Sequence, residues 1–294
     1  MKKIVFRGTA TALVTPLCQG RIDLKSFERL CALGIESGVD ALVIAGTTGE
    51  CATLSDEERI LLFERAQRIN EGRVPLIFGT GSNDTRTAVK LTKIAERMGA
   101  SAALSVTPYY NKGTEDGIIA HYSAIAESTD LPTILYNVPS RTGVDLSLSA
   151  IEKLSEAENI VGIKEASDSV DRLTALSALS DKLALYCGND SQIYACLSLG
   201  GLGVISVLSN IIPRTVSELT EAYFSGDTKR ALTLQQKLLP LVRVMFAETN
   251  PSPIKYALSL KELCDEELRL PLAPPKEITK KKIKEALEKY RDLL

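Results

Sequence analysis

Asn159-Ile160-Val161-Gly162-Ile163-Lys164-Glu165-Ala166-Ser167 is an almost unbroken apolar run that ends in a lysine and then turns polar. Continuous apolar runs of this length read as strands buried on both faces, as in parallel sheets covered by helices. The carboxyl end of such a strand is where parallel α/β folds keep their chemistry. Lys164 therefore stands where an amine can be held out of water. Lost hydration penalises an ammonium more than an amine, and the neutral amine is the form that attacks a ketone to make a Schiff base. The competing reading is a lysine that merely reaches solvent, the commoner fate of this residue type. Companions at other strand ends decide between the two.

On either side of this run, short apolar segments alternate with longer helical patterns. Residues 9–17, 41–45, 74–79, 103–106, 133–136, 184–187 and 203–207 read as further strands. Helical periodicity occupies residues 24–37, closed by Gly38, and a helix running to residue 70 opens at the capping box Ser55-Asp56-Glu57-Glu58. Residues 85–98, 115–128, 168–179 and 191–199 follow the same pattern, with another helix near Ser149. Eight strands, each followed by a helix, over about 225 residues predict a (β/α)8 TIM barrel. A doubly wound sheet fits less well, because Gly79-Thr80-Gly81 and Gly200-Gly201-Leu202-Gly203 do not form the strand-to-helix GxGxxG fingerprint.

Past residue 225 no strand pattern remains. Residues 228–248, 254–263 and 279–293 read as helices, separated by Asn250-Pro251-Ser252-Pro253 and a proline-rich stretch at 270–275. The expected organisation is a barrel domain at 1–225 and a C-terminal helical extension at 226–294. The extension is too small for a core of its own, so it should pack on the barrel or on a neighbouring subunit.

The composition is that of a soluble globular protein: 294 residues, 45% hydrophobic and 24% charged. A net charge of −2 with both signs interspersed argues against nucleic-acid binding. Met1-Lys2-Lys3-Ile4-Val5-Phe6-Arg7-Gly8 makes no signal peptide, and no run is long enough to span a bilayer, so a cytoplasmic protein without membrane partners is expected. The six cysteines show no CxxC spacing and indicate neither a zinc site nor a disulfide framework. They read as reduced, mostly buried small hydrophobes. His121 is the only histidine, which excludes a mechanism needing two imidazoles, and its amphipathic surroundings suggest packing.

In a barrel the residues just after the strands share one face, so Thr47, Thr48, Tyr109, Tyr110, Tyr136, Asn137, Arg141 and Gly188 should gather around Lys164. Each alone has an ordinary reading as a turn, a packed aromatic or a solvated charge. Together they supply an amine nucleophile, a phenol to move protons, hydroxyls and amides for one carboxylate, and a guanidinium for a second.

Five motifs occur in order: Gly46-Thr47-Thr48-Gly49-Glu50, Thr107-Pro108-Tyr109-Tyr110, Tyr136-Asn137-Val138-Pro139-Ser140-Arg141-Thr142-Gly143, Gly162-Ile163-Lys164-Glu165-Ala166 and Gly203-Val204-Ile205-Ser206-Val207. With Asn250-Pro251-Ser252-Pro253-Ile254-Lys255 in the tail, the chain resembles the 4-hydroxy-tetrahydrodipicolinate synthase (dihydrodipicolinate synthase) family over nearly its whole length. That family belongs to the pyruvate-dependent class I aldolases and serves lysine and diaminopimelate biosynthesis.

The resemblance implies that Lys164 forms a Schiff base with pyruvate and that the derived enamine attacks L-aspartate 4-semialdehyde. It makes Tyr136 the proton relay, linked through Thr47 to Tyr110 of an adjacent subunit. Thr48 would hold the pyruvate carboxylate, Arg141 the semialdehyde carboxylate, and the main chain at Gly188 and Ile205 would line the lysine's pocket. No cofactor or metal is implied, and the family suggests a homotetramer of two tight dimers. The alternative is an N-acetylneuraminate lyase-like or other sugar-acid aldolase, which shares the lysine, the tyrosine and a similar turn; Arg141 and the double threonine favour the synthase. A catalytically silent binding protein would show a damaged constellation, whereas Lys164, Tyr136, Thr47 and Arg141 are all present. By the same resemblance, Asn83 and Tyr109 match the carboxylate end of a lysine-inhibition pocket. Asp56, Arg59 and Thr87 stand where inhibited members use histidine and glutamate side chains, so weak or absent inhibition by L-lysine is expected.

Overall fold

The computed structural model describes residues 2–293. Eight parallel strands close into a barrel: β1 (Gly8–Ala12), β2 (Ala41–Ile44), β3 (Leu76–Gly79), β4 (Ala102–Val106), β5 (Thr133–Asn137), β6 (Ile160–Glu165), β7 (Ala184–Cys187) and β8 (Gly203–Ser206). With the helices between and after them this is a (β/α)8 barrel carrying C-terminal helices, as the alternating pattern predicts. Every residue of β6 is buried, which is why its sequence is apolar up to Lys164 instead of alternating.

Two compact units make up the chain. The first is Pro75–Ile205 together with the N-terminal residues through Arg7. In it β3 to β7 alternate with helices Thr85–Arg97, Glu115–Glu127, Leu148–Leu154 and Val170–Ser177. Asp84, Thr114, Ser147 and Ser169 cap these four helices with side-chain oxygens on free backbone N–H groups. The N-terminal segment is tied to the strands: Tyr186 donates to Phe6 O at 3.0 Å and stacks on its ring at 4.3 Å. Lys2 Nζ donates to Ala157 O and Ile160 O, both at 2.7 Å. Gly162 is required where β6 meets β7, since a Cβ there would lie 2.8 Å from Ala184 O.

The second unit is Gly8–Val74 with the chain from Ser206 onward. β1 and β2 pair in register, Ala10 with Ala41 and Ala12 with Val43, among helices Leu24–Glu36, Asp56–Asn70 and Pro213–Phe224. Three more helices follow: Thr228–Met245, Ser252–Ser259 and Glu277–Lys289.

One detail differs from the sequence reading. The first strand ends at Ala12, and Leu17–Cys18 pairs instead with Arg21–Ile22 in a small antiparallel ribbon. Pro16 offers no N–H to a ladder, so the apolar run cannot continue as one strand. The helix expected after β8 carried no bounds in the sequence reading; it is Pro213–Phe224, with Pro213 at its first turn as a start signal.

All six cysteines are free; Cys31, Cys187, Cys196 and Cys264 are buried, Cys51 half-buried and Cys18 exposed. His121 is buried on Glu115–Glu127, its Nδ1 2.9 Å from Thr85 Oγ1. Among the described residues no helix is long and apolar enough to cross a membrane.

Candidate active site

Lys164 and Tyr136 are register partners on β6 and β5, one residue short of each strand's end. Both are buried, Lys164 5% and Tyr136 6% exposed, and Lys164 Nζ lies 4.2 Å from the centroid of the Tyr136 ring. The tyrosine's backbone is fixed in turn, its carbonyl accepting from Thr107 N at 2.9 Å and from Thr107 Oγ1 at 3.1 Å. Tyr122, fully buried, donates to Ser105 O at 3.1 Å and to Thr107 Oγ1 at 3.3 Å behind it.

Successive strand residues face opposite ways, so the next register pair, Asn137 and Glu165, turns from the lysine's side. Here a polar bracket forms in the interior. Asn137 Nδ2 donates to Glu165 Oε1 at 3.0 Å and to Asp145 Oδ1 at 2.8 Å. Arg172 Nε meets Glu165 Oε2 at 2.8 Å, and Ser167 N donates to Glu165 Oε1 at 2.8 Å. A carboxylate taken out of water is tolerated only when its lone pairs are met, and these contacts meet them. The bracket joins the ends of β5 and β6 immediately beside the tyrosine and the lysine.

The other expected residues of this unit also stand at strand ends. Gly188 follows β7 and donates its N–H to Glu165 O at 2.7 Å. A Cβ at Gly188 would lie 2.6 Å from Ala166 Cβ, so only glycine allows this approach. Ile205 is fully buried in β8. Arg141 is exposed on the short helix Pro139–Thr142 after β5. Tyr110, in the loop after β4, is 88% exposed with φ 72, and its N–H donates to Thr142 O on that same short helix at 3.4 Å.

Thr47 and Thr48 lie in the second unit, in the turn Gly46–Glu50 after β2. The turn closes through Gly49 N to Gly46 O at 3.0 Å and Glu50 N to Thr47 O at 3.1 Å, with Ala45 and Glu50 at φ 52 and 58. Thr47 is half-buried; Thr48 is 3% exposed, and its Oγ1 accepts from Asn250 Nδ2 at 2.9 Å. Behind the turn, Lys255 Nζ contacts Glu50 Oε1 at 2.6 Å. Desolvation lowers the lysine's pKa below the ordinary range, opposed by the glutamate. Reading from the sequence singled out none of Asn250, Lys255, Glu50, Glu165 or Arg172 as individual site-supporting residues. The block Asn250–Lys255, quoted with the family resemblance, was the one available signal for the first two. Among the described residues no group of three or more histidine, cysteine and acidic side chains is placed to hold a metal ion.

Comparison with known proteins identifies the family. The family model described as the dihydrodipicolinate synthetase family matches residues 5–290. A 4-hydroxy-tetrahydrodipicolinate synthase of Thermotoga petrophila is 45% identical over 290 residues, covering 97% of this chain and 98% of its own length. The crystal structure of dihydrodipicolinate synthase from Thermotoga maritima superposes with a TM-score of 0.96 at 42% identity, covering 99% of this chain and all of the other. The chloride-inhibited dihydrodipicolinate synthase of Acinetobacter baumannii, solved in complex with pyruvate, gives a TM-score of 0.95 at 45% identity over 98% of this chain and 99% of its own. The fold, the lysine at the end of the sixth strand and this full-length likeness have one source: the chain belongs to the dihydrodipicolinate synthetase family, lyases of the class I aldolase type.

Proposed function

We propose that the chain condenses pyruvate with L-aspartate 4-semialdehyde through a Schiff base on Lys164, the 4-hydroxy-tetrahydrodipicolinate synthase reaction. The observation that carries this reading is the buried Lys164 amine poised over the Tyr136 ring. Lys164 Nζ adds to the ketone carbon of pyruvate, and water leaves as the imine forms. The imine draws electrons from the methyl group, which loses a proton and becomes the terminal carbon of an enamine. That carbon bonds to the aldehyde carbon of the semialdehyde, the aldehyde oxygen takes up a proton, and hydrolysis or ring closure releases the lysine.

Tyr136, whose ring packs under the amine, serves as the proton donor and acceptor for these steps, with Thr47 and Tyr110 completing the relay. Thr48 binds the pyruvate carboxylate, Arg141 grips the carboxylate of the second substrate, and Gly188 and Ile205 line the lysine's pocket. The active assembly is proposed to be a homotetramer of two tight dimers in which Tyr110 reaches a neighbouring subunit's site. Its 88% exposure on a left-handed loop residue supports that role. The deciding assay supplies pyruvate with either aspartate semialdehyde or N-acetylmannosamine. Turnover only with the semialdehyde is expected; preference for the amino sugar would make the chain a sugar-acid aldolase.

A further inference from the structure

The turn that carries Thr47 and Thr48 is held by the C-terminal segment of its own unit through two buried polar contacts that the proposed reaction does not use. Asn250, 5% exposed, donates from Nδ2 to Thr48 Oγ1 at 2.9 Å. Lys255, wholly buried on helix Ser252–Ser259, donates to Glu50 Oε1 at 2.6 Å and to Thr15 O at 2.9 Å. The second carboxylate oxygen of Glu50 accepts from Arg269 N at 3.2 Å, and Thr15 Oγ1 donates to Gly49 O at 2.7 Å. The turn is thus fastened at Thr48, Gly49 and Glu50, three consecutive residues.

A buried lysine-glutamate pair adds little net stability, because desolvation consumes most of the attraction, but its geometry is specific once the remaining donors and acceptors are met. The contact at Thr48 has a chemical consequence. A hydroxyl owns one proton and two lone pairs. With one lone pair occupied by the Asn250 amide, the Thr48 proton is directed away from Asn250 and is free to be donated elsewhere. A hydroxyl held in this way is prepared to donate to an anion.

We propose that Asn250 and the Lys255–Glu50 pair are positioning residues that fix Thr48 as a hydrogen-bond donor to the carboxylate of the keto acid. The C-terminal segment then belongs to the pyruvate-binding apparatus, beyond any part it plays in packing. The inference rests on the proposed role of Thr48, and the experiment separates the two.

Steady-state KM for pyruvate and for aspartate semialdehyde, together with melting temperature, are measured for Thr48→Val, Asn250→Ala, Asn250→Asp and Lys255→Met. Asn250→Ala is expected to raise KM for pyruvate about tenfold, the loss of one hydrogen bond, while KM for the semialdehyde stays within about twofold. Asn250→Asp, nearly the same shape but bearing a charge that opposes a carboxylate, should raise it further, and it serves as the test if the alanine variant does not fold. Lys255→Met should shift the pyruvate KM in the same direction with a lower melting temperature. Folded Asn250 variants with wild-type KM for pyruvate, beside a Thr48→Val variant whose KM has risen, would overturn the inference and leave the role of Thr48 intact. An unchanged pyruvate KM in Thr48→Val would overturn that role itself, and the inference with it.

Discussion

Lys164 and Tyr136 face one another across adjacent strands, the amine 4.2 Å from the centre of the phenol ring. Because the two are register partners, their separation is set by the ladder of β5 and β6 and needs no flexible loop. Removing the phenolic hydroxyl keeps the ring that packs under the amine and deletes only the proton carrier. Tyr136→Phe should therefore still form the pyruvate adduct but turn over about 10²–10⁴-fold more slowly. A wild-type rate in the steady-state assay would remove Tyr136 from the proton relay.

Glu165 is the keystone of the bracket beside that pair. Its side chain is fully buried against Arg172, which is itself 12% exposed. Glu165→Ala leaves the guanidinium, itself largely buried, with the Leu146 carbonyl and the more distant, half-exposed Asp145 at 3.4 Å. Breaking a buried pair from one side costs about 3–5 kcal/mol. Chemical denaturation should register that loss, and a change below about 1 kcal/mol would mean that the bracket is dispensable.

His121 gives the fold an acid-sensitive element. Burial pushes its pKa down from 6.5 to about 4, with Asp84 opposing the shift. The unfolded chain takes up the proton first as pH falls, so the stability tied to the neutral ring is complete above the unfolded value and declines from about pH 6.5 towards pH 4. The slope approaches about 1.4 kcal/mol per pH unit and the total is on the order of 2–3 kcal/mol. His121→Gln should flatten the melting-temperature profile between pH 7 and 4.5; an equally steep profile in the variant would assign the acid sensitivity to other groups.

L-lysine should inhibit weakly or not at all. By the family resemblance Asp56, Arg59 and Thr87 stand where inhibited members hold the effector's ammonium with histidine and glutamate side chains; Arg59 is half-buried, its Nη2 donating to Cys51 O at 2.5 Å. Thr87 offers an ammonium no charge and donates its hydroxyl to Asp84 at 2.8 Å. Loss of one charge-assisted contact to an ammonium costs about 1.5–3 kcal/mol, roughly ten to a hundred-fold or more in affinity. A titration at saturating pyruvate checks this, and half-inhibition at submillimolar lysine would refute it.

The barrel was legible because its strands are continuous apolar runs between amphipathic helices, and Lys164 because a charge at the end of such a run is conspicuous. The end of the first strand was misread, since Leu13 and Val14 prolong the apolar pattern that Pro16 terminates. The helix after the eighth strand was implied by the repeating pattern, but its bounds, Pro213–Phe224, were not read next to the stronger periodicity of the helices after it. What sequence could not reveal are contacts closed only by folding. Asn250 lies 202 residues from Thr48 and Lys255 205 from Glu50, and nothing in local periodicity links them. Glu165 was hidden differently: it is adjacent to the lysine in the chain, yet its partners Asn137 and Arg172 come from a neighbouring strand and the following helix.

The central claim is that Lys164 carries the substrate as an imine. Incubation with pyruvate and borohydride, followed by mass mapping of the digested protein, should find a single reduced adduct on Lys164 and none in Lys164→Ala, which should remain folded and lose nearly all turnover. An adduct retained by the alanine variant, or mapped to another lysine such as Lys255, would contradict the account.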